Sequence, residues 1–90
     1  MRDLLHNGLL MTNDEVEQIR KYLGKIRRSL YDFSIDAAAW RAELPKLAEV
    51  ITEVMVASVE PENEIDRVIL YHLETRARHC RTIILKLLEL

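Results

Sequence analysis

A single run of apolar residues, spaced three and four positions apart, constrains the fold of this chain more than any other feature. The run comprises Val16, Ile19, Leu23, Ile26, Leu30 and Phe33. This spacing places all six side chains on one face of an α-helix. The run follows a capping box, Thr12-Asn-Asp-Glu15, in which the first and last residues satisfy each other's backbone amides. The pattern predicts a helix over residues 13–33, about 31 Å long.

The following segment, residues 35–59, has helical composition and begins after two helix-start residues, Ser34 and Asp36. Its apolar positions share one face: Trp40, Leu44, Leu47, Ile51, Val54 and Met55. Pro45 interrupts this segment, and an internal proline costs about 3 kcal/mol because it removes a hydrogen bond and clashes with the preceding turn. We therefore expect a helix that is broken or kinked at Pro45. Two separate helices are favoured, since proline suits the first turn of a new helix.

A third helix is predicted over residues 62–89. Glu60-Pro61 ends the preceding segment, and Glu62, Glu64 and Asp66 complement the positive end of a helix dipole. The apolar stripe of this helix contains Ile65, Ile69, Leu73, Ala77, Cys80, Ile84, Leu87 and Leu88. With no strand-like alternation in the sequence, the predicted fold is an all-α, antiparallel three-helix bundle. Residues 1–90 form one domain in this interpretation, with residues 1–11 as a short apolar N-terminal arm or helix.

Composition excludes several classes of protein. The 90 residues are 49% hydrophobic and 31% charged, with no stretch of about 20 apolar residues that could span a bilayer. The lone cysteine, Cys80, rules out an intrachain disulfide, so a cytoplasmic protein is expected. Neighbouring basic residues could activate its thiol, but a core position is favoured. His72 and His79 lie two helical turns apart, too far to share one metal ion, and neither a metal nor a cofactor is expected.

Charge is distributed unevenly along the chain. A basic face on the first helix contains Arg20, Lys21, Lys25 and Arg28, while acidic residues such as Glu49 and Glu53 concentrate in the second segment. The favoured interpretation is that these two helices lie side by side and compensate each other. The alternative is a nucleic-acid-binding regulator that uses the basic faces of the first and last helices, although the net charge of −2 disfavours it.

The C-terminal end of the last helix predicts an interaction surface. Large aliphatic residues surround more than one helical face there, and the proposed interface consists of Ile83, Ile84, Leu87, Leu88 and Leu90. A three-helix core of this length cannot cover all of them, so dimerisation or a partner protein is expected to do so. Gly24, in the middle of the first helix, is either tolerated there or marks the close approach of another backbone.

These observations predict a small, non-catalytic protein that acts by binding another protein, with homodimerisation expected. Suitable roles are a regulator or inhibitor that sequesters a transcription factor or an enzyme, or a small chaperone. A second alternative comes from Arg67-Val-Ile-Leu-Tyr-His72, whose Arg-x4-His spacing resembles that of the HEPN ribonucleases. The resemblance covers six residues and implies a dimeric helical ribonuclease that uses Arg67 and His72. Val68 departs from that family, in which a polar residue usually follows the arginine.

Overall fold

Three α-helices build the protein. A computed structural model describes residues 11–32, 36–60 and 65–89, and these ranges contain no β-strand. The helices are α1 (Asn13–Asp32), α2 (Ala37–Val59) and α3 (Arg67–Glu89), packed around one hydrophobic core. The prediction of an all-α chain with three principal helices is confirmed.

The first helix follows its sequence signals closely. The Thr12 backbone amide donates to Glu15 Oε1 at 3.3 Å, and the Glu15 amide donates to Thr12 Oγ1 at 3.2 Å, so the capping box forms as predicted. The seam is buried at every described position: Val16, Ile19, Leu23, Ile26 and Leu30. Phe33 lies outside the described residues. The seam also predicts that Tyr22, which lies beside it, is at least half exposed. This prediction is wrong, because Tyr22 is less than half exposed and packs against the core.

The second helix is continuous, so the favoured division into two helices at Pro45 is wrong. Asp36 caps it as predicted, with its carboxylate accepting a hydrogen bond from the Ala39 amide at 2.9 Å. Pro45 and Arg41, four positions earlier, are both exposed, so water can hydrate the carbonyl group that proline deprives of an amide donor. Exposure therefore lowers the cost of keeping a proline inside the helix.

The third helix begins at Arg67, five residues after the predicted start. Ile65 and Asp66 precede it without helical structure, and Asp66 Oδ1 accepts a hydrogen bond from the Val68 amide at 2.8 Å. Ile65 is buried and stands immediately before this cap, where an apolar residue fixes the entry of the chain by packing against the first helical turns. Residues 61–64 lie outside the described ranges.

The core lies where α3 meets the other two helices. The contact of α3 with α2 is the more extensive, and α1 packs against α3 over fewer residues. Leu23, Leu47, Leu70 and Ile84 have no exposed surface. Met11 is also buried, but residues 1–10 of the predicted N-terminal arm lie outside the described part of the chain. Met55, predicted to lie on the buried face of α2, is instead 43% exposed.

Gly24 lies in the middle of α1, and replacing it with alanine tests whether this glycine lowers the stability of the protein. A Cβ atom added at Gly24 would meet no heavy atom of the rest of the described chain within 4 Å, so no other backbone in the described ranges approaches it closely. We expect Gly24→Ala to raise the free energy of unfolding by about 0.5–1 kcal/mol, because alanine loses less backbone entropy in a helix. Urea denaturation followed by circular dichroism measures the change. A lower midpoint would show that the position does not tolerate a side chain.

Candidate protein-binding groove

A groove of about 460 Å³ runs between the C-terminal halves of α1 and α3. Its lining residues are Leu23, Arg27, Leu30, Tyr31, Arg76, His79, Cys80, Ile83 and Leu87. The aliphatic side chains and the buried thiol form an apolar floor, while charged and aromatic side chains stand at the edge. This combination of an apolar interior with a few polar groups at the edge is typical of binding sites.

The rim of the groove consists of Arg27, Arg76 and His79, and its two arginines carry positive charge. The Arg27 guanidinium lies 5.7 Å from the centre of the Tyr31 ring, a cation–π distance, and Tyr31 is 72% exposed. Among the described residues, the ion pairs with an arginine involve Arg20 and Arg78, so neither Arg27 nor Arg76 has a carboxylate partner there. The rim is therefore positively charged and open to an anionic group.

Cys80 belongs to the floor of this groove, which agrees with the favoured core position. Its side chain is buried, and burial raises the pKa of the thiol above its ordinary value. The positive charges of Arg76 and Arg27 lower the pKa in part, but the effect of burial is larger. Since the thiolate is the nucleophile, burial disfavours the form of Cys80 that activation by neighbouring basic residues would require.

The residues of the predicted interface lie in different environments in the structure. Ile83 and Leu87 line the groove, and Leu88 is partly buried against the core. Ile84 has no exposed surface and belongs to the core of the chain itself, so it is not available to a partner. Leu90 lies outside the described residues. The rim residues were not identified from sequence, although Arg27 and Tyr31 flank the α1 seam, where residues beside a helix–helix contact are found.

The basic face of α1 is accessible throughout. Arg20, Lys21, Lys25 and Arg28 are all exposed. Arg20 pairs with Glu17 of its own helix at 2.8 Å, and the other ion pair in the described ranges, Arg78–Glu74, lies within α3. The expected compensation of α1 by the acids of α2 is therefore not achieved through ion pairs between the described residues of these helices.

A tyrosine provides the polar connection between α1 and α2. The Tyr22 hydroxyl donates to Glu43 Oε2 at 2.5 Å, and Lys46 Nζ lies 4.7 Å from the centre of the same ring. Burial raises the pKa of Tyr22 well above its ordinary range, and the hydrogen bond to Glu43 and its negative charge raise it further. The neutral phenol is thus the form that the fold stabilises.

We expect Tyr22→Phe to lower the free energy of unfolding by about 1–2 kcal/mol at neutral pH, because it removes a hydrogen bond to a charged acceptor. Urea denaturation of both proteins measures the loss. Tyr31→Phe is the matched control, since its ring is exposed and forms no hydrogen bond with another helix among the described residues. Equal effects of the two substitutions would contradict a stabilising role for the Tyr22–Glu43 bond.

The same hydrogen bond makes the free energy of unfolding change with pH in the alkaline range. Because the folded-state pKa of Tyr22 is raised, its contribution is complete below the unfolded value of about 10 and declines as the pH rises above it. The raised pKa of the Cys80 thiol acts in the same direction. Denaturation between pH 8 and about 11 should show a smaller decline for Tyr22→Phe than for the wild type.

The two residues that carry the HEPN resemblance lie outside the groove. Arg67 and His72 are exposed near the start of α3, and neither lines the groove. The His72 ring meets the Tyr71 ring edge to face, with centroids 6.0 Å apart. Ribonuclease activity stays a prediction, which RNA cleavage by the wild type and His72→Ala would test. In the described ranges, no three His, Cys, Asp or Glu side chains are grouped to hold a metal ion.

The chain matches no family model, no curated protein and no solved structure. Within the described ranges, no helix has the length and apolar character needed to cross a membrane.

Proposed function

We propose that this chain acts without catalysis, by binding another protein through the α1–α3 groove. Such a protein would serve as a regulator or inhibitor that sequesters a transcription factor or an enzyme, or as a small chaperone, in the cytoplasm. The groove is the observation that supports this proposal. Its floor offers a partner the accessible parts of Leu30 from α1 and of Ile83 and Leu87 from α3, and burying such aliphatic side chains drives most protein association.

Leu87 and Leu85 form a matched pair for testing the proposal, because they lie two positions apart in one helix. Leu87 lines the groove, whereas Leu85 is 46% exposed and lies outside it. We expect Leu87→Asp to abolish capture of a specific protein from a lysate of the source cells, and Leu85→Asp to preserve it. Mass spectrometry identifies the captured protein. Loss of capture with both variants, or with neither, would contradict binding through the groove.

A second copy of the chain is the alternative occupant of the groove, as expected from the aliphatic end of α3. In a two-fold arrangement, the same patch would cover its counterpart in the other subunit. The exposed Leu85 and the partly buried Ile83, Leu87 and Leu88 support this proposal. Sedimentation velocity at micromolar concentration tests it, since Leu87→Asp should convert a dimer into a folded monomer. A wild type that sediments as a monomer would exclude the homodimer.

The exposed basic face supports a second candidate function, binding of nucleic acid. Arg20, Lys21, Lys25 and Arg28 all face solvent, where phosphate groups could reach them. Association through such contacts weakens steeply with salt, because each neutralised phosphate releases counterions. Titration of a random-sequence DNA duplex at several salt concentrations tests this candidate. Submillimolar binding that Lys21→Glu and Lys25→Glu together abolish would support it, and no detectable binding at low salt would exclude it.

A further inference from the structure

We infer that the natural occupant of the groove is an amphipathic helix with acidic side chains beside its apolar face, which completes a four-helix arrangement. This inference rests on the proposed function, since it specifies the chemistry of the partner. The walls, floor and rim of the groove support it independently.

The length and walls of the groove suit a helix. Its lining extends from Leu23 to Tyr31 on α1 and from Arg76 to Leu87 on α3, or about 12 and 17 Å of helix. Two helices of this length form the sides of a channel into which a third can pack with its side chains between their ridges. An occupant of about three turns, or 11 residues, would span the groove. Its apolar residues would recur every three or four positions to meet the floor.

The charge of the rim selects an acidic occupant. Arg27 stands on the α1 wall and Arg76 and His79 on the α3 wall, while no acidic residue lines the groove in the described part of the chain. Because neither arginine pairs with a described carboxylate, both can form bidentate contacts with glutamate or aspartate side chains on the two flanks of an incoming helix. A helix with basic flanks would instead place like charges together, which costs binding energy.

The same charges disfavour a second copy as the occupant. A two-fold pairing of grooves would bring Arg27 and Arg76 of both subunits to one interface, where their positive charges would be desolvated without a described acidic partner. A bound helix with acidic side chains would pair with these arginines and so offset the cost of desolvating them. The aliphatic floor, in turn, favours a polypeptide with apolar side chains over a nucleic acid.

Two synthetic peptides of about 14 residues, long enough to span the groove, test the inference. Both carry leucine at positions i, i+3, i+4, i+7, and one has glutamate while the other has lysine at the flanking positions. The full-length chain is titrated into each fluorescein-labelled peptide, and anisotropy gives the affinity. We expect the wild type to bind the acidic peptide at least about tenfold more tightly than the basic one.

Reversing the charge of the two rim arginines tests whether they cause the preference for the acidic peptide. The variant Arg27→Glu with Arg76→Glu should reverse the preference toward the basic peptide. The control Lys21→Glu with Lys25→Glu changes the net charge equally, but neither residue lines the groove, so it should retain the preference of the wild type. A loss of preference in the control as strong as in the rim variant would overturn the inference, because general electrostatic attraction would then explain the binding.

Three further outcomes would overturn this choice of occupant. Equal binding of both peptides would show that the groove does not select for charge. Binding of neither peptide would show that it is filled by residues 1–10, by a second copy or not at all. Displacement of the acidic peptide from the wild type by a DNA duplex would favour a nucleic acid as the occupant, because the duplex would then compete for the groove. In each case, Leu87-dependent capture of a protein would still support the proposed function, so the two failures are distinguishable.

Discussion

Leu23→Ala is expected to lower the free energy of unfolding by about 2–5 kcal/mol, the range for truncating a buried leucine. Leu23 lies at the centre of the α1 seam and is 0% exposed. Removing its isobutyl group gives up its burial and leaves space that the surrounding helices fill only in part. The total stability of a small domain is about 5–15 kcal/mol, so this single change would remove a large fraction of it.

Urea denaturation followed by circular dichroism measures this loss. Leu85→Ala is the matched control, because it removes the same atoms from a leucine that is 46% exposed, and its effect should stay below about 1 kcal/mol. Equal midpoints for Leu23→Ala and the wild type would show that the buried seam of α1 contributes little to the fold.

The first helix could be predicted from sequence because its signals are local. Thr12 and Glu15 lie within one turn and cap each other, and the seam from Val16 to Leu30 follows one periodicity without interruption. Both features depend on the helix alone. The burial of the seam then follows from the need to remove its apolar face from water.

The predicted break in α2 and the predicted start of α3 are wrong because, at both places, local sequence signals favour different structures. Pro45 indicates a break, but its cost depends on whether water reaches the carbonyl group of Arg41, which only the packed structure decides. Glu62, Glu64 and Asp66 all favour the start of a helix, and α3 begins directly after Asp66, whose side chain accepts a hydrogen bond from the Val68 amide. The sequence contains each of these signals but does not show which of them determines where a helix begins or ends.

The candidate site was only partly predictable, because it joins residues from two helices. The apolar stripe of α3 pointed to Ile83 and Leu87, which do line the groove. The meeting of Arg27 with Arg76 and His79 depends on how far α1 is shifted along α3, and no single-helix periodicity encodes that register. The Tyr22–Glu43 bond joins residues 21 positions apart and was hidden for the same reason.

Ile84→Asp is expected to prevent stable folding, with a loss of at least about 4 kcal/mol. Ile84 is 0% exposed, and the aliphatic and thiol groups of the core surround it. A carboxylate there would be buried without an ion-pair partner, while a neutral carboxyl group would still need hydrogen bonds that the apolar surroundings do not supply. The sequence pattern assigned Ile84 to the same interface as Leu87, so this substitution separates a core role from an interface role.

Thermal denaturation monitored at 222 nm compares Ile84→Asp with Leu87→Asp and Leu85→Asp. All three replace an aliphatic residue of α3 with aspartate within four positions, so helix propensity and net charge change by closely similar amounts. We expect Ile84→Asp to lose the cooperative transition, while the other two variants retain helical structure and unfold cooperatively. A folded Ile84→Asp that fails only to bind a partner would place Ile84 at an interface instead of in the core. Unfolding of Leu87→Asp as well would mean that the groove floor contributes to the core of the chain, and the loss of partner capture by that variant would then be explained by instability.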